Sequence, residues 1–252
     1  MNGSIFILKG NIVYSKNQTE LAICEHGYLV CKDGKVDGIY QTLPFRLGGN
    51  PIRDYGDRLI IPGLVDLHIH APQYSYRGLG MDMELLEWLE VNTFPEEAKF
   101  EELDYAEKSY RIFTENLKNS ATTRACIFAT VHRPATLLLM DMLEKSGLDT
   151  YVGKVNMDRN CPDYICEETQ ESADATLEWI KDVNHRKYKN TKPILTPRFT
   201  PSCTDELMEE LKKLQMRYEL PLQSHLSENP GEIAWVKELC PWSEFYGDAY
   251  DR

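Results

Sequence analysis

Two histidines one residue apart, His68 and His70, end the apolar run Pro62-Gly63-Leu64-Val65-Asp66-Leu67. On a β-strand, side chains at i and i+2 leave the same face, so both imidazoles can reach one metal ion. Imidazole is a good ligand for zinc, and also for iron or nickel. The plainer reading is a pair of solvated histidines at a strand terminus. The run that leads into the pair argues against it, because it places both side chains at a strand's carboxyl end, where enzymes built from parallel strands and helices keep their chemistry.

A second cluster, Ser224-His225-Leu226-Ser227-Glu228, again follows a short apolar stretch. His225 is a third candidate nitrogen ligand. Glu228 is a candidate proton carrier beside a water whose pKa a metal lowers toward neutrality. Strict alternation would send the two side chains to opposite faces, so this reading requires Glu228 to sit on a turn past the strand. Alone, His225 reads as a buried, hydrogen-bonded histidine; beside His68 and His70 it reads as a ligand. In Thr196-Pro197-Arg198-Phe199-Thr200, Arg198 is suited to donate to a carbonyl oxygen and Phe199 to pack against a ring. Their bland alternatives are a surface ion pair and a core aromatic. His132 follows an apolar strand but lacks a partner, and His26 and His185 fall in a turn and a polar helix.

Positioning these residues needs strands that end together. From residue 59, apolar strands alternate with amphipathic helices. Strands are expected over 59–68, 123–131, 150–158, 193–199 and 221–225. Helices are expected over 83–91, 95–117, 134–146, 173–187, 205–218 and 230–239, with Thr204 as a cap and Gly147 as a stop. Such alternation predicts an α/β fold with a parallel sheet and helices outside it. Residues 1–58 differ. Short strands at 5–8, 11–14, 27–31 and 35–40, with a hairpin signal at Asp33-Gly34, predict a small β-domain. A closed (β/α)8 barrel takes about 250 residues. Residues 59–252 hold about five of its eight units, so the expectation is a partial (β/α)8 TIM-type barrel preceded by a small N-terminal β-domain.

The 252 residues carry a formal net charge of -12, which argues against nucleic acid or an anionic membrane as a partner. No apolar run is long enough for a membrane span, and the stretch Met1–Lys9 is too short and interrupted for a secretory leader. Seven scattered cysteines without a C-x-x-C pair fit reduced thiols and a cytoplasmic location. Glycine-rich phosphate loops, a G-x-S-x-G elbow and the H-x-E…P-C-x-x-C pattern of nucleotide-type deaminases are absent from the sequence.

The stretch Pro62-Gly63…Asp66-Leu67-His68-Ile69-His70-Ala71-Pro72-Gln73-Tyr74 resembles the first metal motif of the guanine deaminases within the amidohydrolase superfamily. Leu85-Leu86-Glu87-Trp88-Leu89 with Thr93-Phe94-Pro95, Thr196-Pro197-Arg198-Phe199, and Gln223-Ser224-His225-Leu226-Ser227-Glu228-Asn229 resemble its later segments. The resemblance implies hydrolysis of guanine to xanthine and ammonia with one Zn2+ per chain, Fe2+ being the alternative. It implies His68, His70 and His225 as metal ligands, and Glu228, with His225, as the catalytic pair. Gln73, Arg198 and Phe199 become base contacts, Arg198 facing the exocyclic oxygen. Homodimers are common in the family. Its pattern continues with a histidine on the sixth strand and a metal-binding aspartate on the eighth. Neither has a counterpart here, so a further C-terminal segment is expected to be needed for activity. Two other readings stay open: an amidohydrolase acting on another aminopurine, pyrimidine or triazine, and a non-catalytic product or half of a split enzyme.

Overall fold

The computed structural model describes residues 4–251; Met1, Asn2 and Gly3 of the stretch read against a leader, and Arg252, lie outside them. Two compact units meet in sequence at Gly63 and Leu64.

The first unit is a four-stranded sheet in the order β3-β2-β1-β4, formed by β1 (Ile5–Ser15), β2 (Leu21–Lys32), β3 (Lys35–Tyr40) and β4 (Ile52–Ile60). The Asp33-Gly34 hairpin is present. Both residues have positive φ, 52° and 77°, as a two-residue turn matched to strand twist requires. The strands expected at 5–8 and 11–14 are one strand whose register shifts between Gly10 and Ile12. Its parallel neighbour β4 is not visible in the hydropathy pattern, because Ile-Arg-Asp-Tyr-Gly-Asp-Arg-Leu-Ile is mostly exposed. Ile7, Val30 and Leu47 form the core of this unit.

The second unit begins with β5 (Leu64–His70). The strand expected over 59–68 is therefore two strands, divided at Pro62-Gly63, where proline has no N–H to give a ladder. A continuous helical run follows: α1 (Leu85–Trp88), a wider π segment (Leu89–Thr93), α2 (Phe94–Ala98) and a 3-10 turn (Lys99–Glu101). The break between helices falls at Glu102, which is extended, and α3 (Leu103–Lys118) starts after it. Pro95 was expected to open a new helix; the π turn before it absorbs the missing N–H and lets the run continue.

Next come β6 (Thr122–Phe128), α4 (Arg133–Ser146), β7 (Asp149–Gly153), β8 (Val155–Asn156), α5 (Thr169–Arg186), β9 (Thr191–Pro193) and β10 (Thr196–Pro197). α6 (Asp205–Tyr218) and α7 (Pro230–Leu239) complete the regular elements. The sheet is parallel in the order β5-β6-β7-β9, with β8 and β10 paired beyond it. The strands expected over 150–158 and 193–199 are each split. The end of β7 and the start of β10 come so close that a Cβ on Gly153 would lie 1.7 Å from Thr196 Oγ1. The strand expected at 221–225 is reduced to one parallel bridge, Leu195 with Leu222.

Helices α3 to α6 pack over this sheet around Tyr110, Phe113, Ile127, Leu139, Trp179 and Leu207. Gly147 ends α4 with φ 81°, and Thr204 caps α6 by accepting the Leu207 N–H. Because that hydroxyl also donates to Asp158, Thr204→Ala is expected to lose about 1 kcal/mol, read as a lower urea midpoint, with Thr204→Ser restoring it. Among the described residues no helix is long and apolar enough to cross a membrane.

Candidate active site

The carboxyl ends of the strands hold the histidines. β5 delivers His68 and His70; the segment after the Leu222 bridge delivers His225. Their ligand-capable atoms all lie within 4.8 Å of one another. His70 Nε2 and His225 Nε2 stand 2.9 Å apart. The buried ring of Phe128, at the end of β6, floors the cluster. It stacks on His70 at 4.4 Å between centroids, and lies 4.9 Å from His68 and 4.5 Å from His225.

His225 Nδ1 is 2.6 Å from the Arg198 carbonyl oxygen. A carbonyl only accepts, so Nδ1 carries the proton and Nε2 presents its lone pair toward His70. Burial, then the Arg198 charge, pushes the His225 pKa down to about 3. Burial, with His225 beside it, holds His70 well below the ordinary histidine value. Neutral imidazoles whose lone pairs converge are what a metal requires, and an outer carbonyl that fixes a ligand's tautomer is the usual support. The donor set therefore fits a divalent ion bound by imidazole. His132, in contrast, stands outside this group, at the N-cap of α4. His26 and His185 are exposed.

Glu228 lies past the strand. Ser227 has φ 58°, which turns the chain and removes the alternation problem. The turn is pinned because buried Glu232 accepts the backbone N–H groups of Glu228 and Asn229 and a hydrogen bond from Tyr246 Oη. Asn229 caps α7 in a reciprocal box with Glu232. Burial, then repulsion from Glu232, raises the Glu228 pKa above the ordinary carboxylate range.

His68, His70, Gln73, Arg198, Phe199, His225 and Glu228 line one cavity of about 530 Å3, together with Trp88 and Leu89. That size suits a small molecule. Phe199 does two jobs, facing the cavity and packing with Phe94, Phe128, Val155 and Met157. Arg198 is not a surface group. It is 2% exposed and pairs with Glu97 on α2, itself 1% exposed, at 2.6 Å from Nη1 and 3.3 Å from Nη2. Its Cζ sits 5.2 Å over the Phe94 ring. Burial alone would lower its pKa, but the Glu97 carboxylate outweighs that and raises it.

Sequence reasoning missed Glu97, Phe128 and Tyr250. Tyr250 Oη donates to the His225 carbonyl and accepts from the Thr200 N–H, tying the 3-10 turn Tyr246–Tyr250 to the site. Glu97 sits 101 residues from its partner; a carboxylate inside Phe-Pro-Glu-Glu-Ala reads as an ordinary first-turn acid.

The model of the amidohydrolase family matches residues 59–246. The guanine deaminase of Dictyostelium discoideum is 44% identical over 197 residues, covering 78% of this chain and 44% of that one. That of Mus musculus is 46% identical over 195 residues, covering 76% and 42%. Among solved structures, guanine deaminase from C. acetobutylicum with bound guanine in the active site superposes with a TM-score of 0.94 at 50% identity. It covers 98% of this chain and 59% of that one. The chain thus spans less than half the length of these two curated relatives.

Proposed function

The chain belongs to the amidohydrolase family, and from that premise we propose that it carries the metal- and base-binding centre of a guanine deaminase. The reaction is guanine plus water to xanthine plus ammonia. The observation that carries this reading is the convergence of three imidazoles, a turn-borne carboxyl and a buried arginine on one cavity. Its parallel strands are read as about five units of a (β/α)8 barrel, following the first unit in sequence.

His68, His70 and His225 would hold one Zn2+, with Fe2+ as the alternative. Bound there, the metal supplies Lewis acidity that lowers the pKa of a water toward neutrality. The remaining chemistry belongs to the chain. Glu228 takes the proton from the attacking water and delivers it to the purine ring. Burial and the neighbouring Glu232 raise the Glu228 pKa, the direction that favours its holding the proton between the two transfers. Arg198 has five N–H donors; two go to Glu97, and the others are available to the exocyclic oxygen of the base. Because Glu97 neutralises the guanidinium, the site favours a neutral carbonyl over an anion. Phe199 packs against the ring and Gln73 hydrogen-bonds its edge.

The assay is guanine turnover by a polypeptide of the relatives' full length that carries these 252 residues, followed as ammonia release. Zinc-dependent conversion supports the reading. No conversion of guanine, or conversion of a different amino-heterocycle in its place, overturns it. For this chain itself, His225→Ala is expected to weaken zinc binding by at least the roughly 10–100-fold that follows loss of an outer-shell support. Competition against a chromophoric chelator measures it, and unchanged affinity would remove His225 from the ligand set.

A further inference from the structure

We propose that Cys161 and Cys166 form a reversible disulfide site, oxidised by a low-molecular-weight disulfide such as oxidised glutathione and restored by thiols. The two residues lie in the loop between β8 and α5, and the backbone has already done the work of bringing them together. The loop's ends are joined by the Glu167 N–H to the Met157 carbonyl, at 2.9 Å. Within it, the N–H groups of Ile165 and Cys166 both bond the Pro162 carbonyl, at 2.9 and 3.0 Å, folding the chain back on Cys161. Asn160 has φ 51° and turns the chain immediately before Cys161.

The outer side of the loop is also held. The Asp158 and Arg159 N–H groups bond the Ser202 carbonyl, Arg159 Nη2 donates to Thr200 O, and Asn160 Nδ2 donates to Pro201 O. As a result the two Sγ atoms touch, at 2.7 Å, while both thiols are free. Both residues are half-buried rather than sealed in the core. What remains is a short approach of two sulfurs already in contact, inside a loop whose anchors are in place.

Cys161 Sγ donates toward Cys166 Sγ, and burial, with that sulfur beside it, raises the Cys161 thiol pKa, so the first attack is assigned to Cys166. Its thiolate attacks one sulfur of the oxidant, that S–S bond breaks, and one small thiolate leaves and takes up a proton. Cys161 then loses its proton, attacks the Cys166 sulfur of the mixed disulfide and expels the second small thiol. Two protein S–H groups become one S–S bond, and the oxidant gains two electrons and two protons as two thiols. The bonded loop braces residues 200–202, which directly follow Phe199 in the cavity wall.

The test equilibrates the purified chain in glutathione buffers of increasing oxidation and counts alkylatable thiols by mass. Two of the seven should be lost together, with the mass lower by two hydrogens and full recovery on reduction. Tyr164, 55% exposed, lies between the two cysteines. Chymotryptic cleavage after it should leave fragments that separate only when reduced. Cys161→Ser should abolish the paired loss and leave a glutathione adduct on Cys166; Cys166→Ala should abolish the paired loss as well. Seven alkylatable thiols in the most oxidising buffer, fragments that separate without reduction, or a paired loss that survives either substitution would overturn the proposal.

Discussion

Replacing Glu228 with glutamine is expected to lower the kcat for guanine by about 10²–10⁴-fold, the range general acid–base catalysis supplies. The change is nearly isosteric, so the cavity keeps its shape. What it removes is the ability to accept and return a proton. The turn that presents the residue should survive, because its anchors are backbone N–H groups bonded to Glu232 rather than the Glu228 carboxyl. KM should change little, since the proposed reading gives base recognition to Gln73, Arg198 and Phe199, which line the same cavity. Zinc content should also hold, because the imidazoles are untouched. Steady-state ammonia release by the full-length polypeptide distinguishes the cases. A kcat within threefold of the parent would assign proton transfer to another group. A raised KM with unchanged kcat would make Glu228 a binding residue only.

Glu228, unlike its neighbours, needed the structure to become credible. Strand alternation places it on the wrong face from His225, and only the left-handed Ser227 and the Glu232 anchor explain how it reaches the cavity. His68 and His70 were legible because a period of two is a local property of a strand. Arg198 and Phe199 were legible as candidates but not as a pair with opposite partners, one facing Glu97 and the other the Phe94–Phe128 cluster. Contacts of that range leave no periodic trace. The same holds for β4, whose pairing with β1 is carried by backbone bonds under a polar, exposed sequence. The π segment was hidden for a different reason. Proline 95 reads as a helix start, and whether a preceding turn widens to accept it is decided by packing. Helix limits carried by chemistry came through: Thr204 before α6 and Gly147 after α4 stand where capping and left-handed geometry demanded.

Glu97 gives the test of how far the site and the fold share one interaction. Glu97→Ala leaves a guanidinium that is 2% exposed without its counter-charge, and breaking a buried pair from one side costs about 3–5 kcal/mol. For a domain of this size each kcal/mol is worth roughly 2–4 °C, so the melting temperature should fall by roughly 6–20 °C. Calorimetry of the chain as it stands measures this. Replacing both partners with methionine removes the stranded charge and fills the volume, so Glu97→Met/Arg198→Met should be more stable than Glu97→Ala despite carrying one more substitution. That ordering separates the pair's electrostatics from the packing of α2 against Phe199. If Glu97→Ala costs less than about 1 kcal/mol, in the range of an exposed pair, water reaches Arg198 in solution. The neutralised donor proposed for the purine oxygen would then be wrong. If the cost is large but the double replacement is no better than the single, the loss lies in packing, and Glu97 supports Phe94 rather than Arg198.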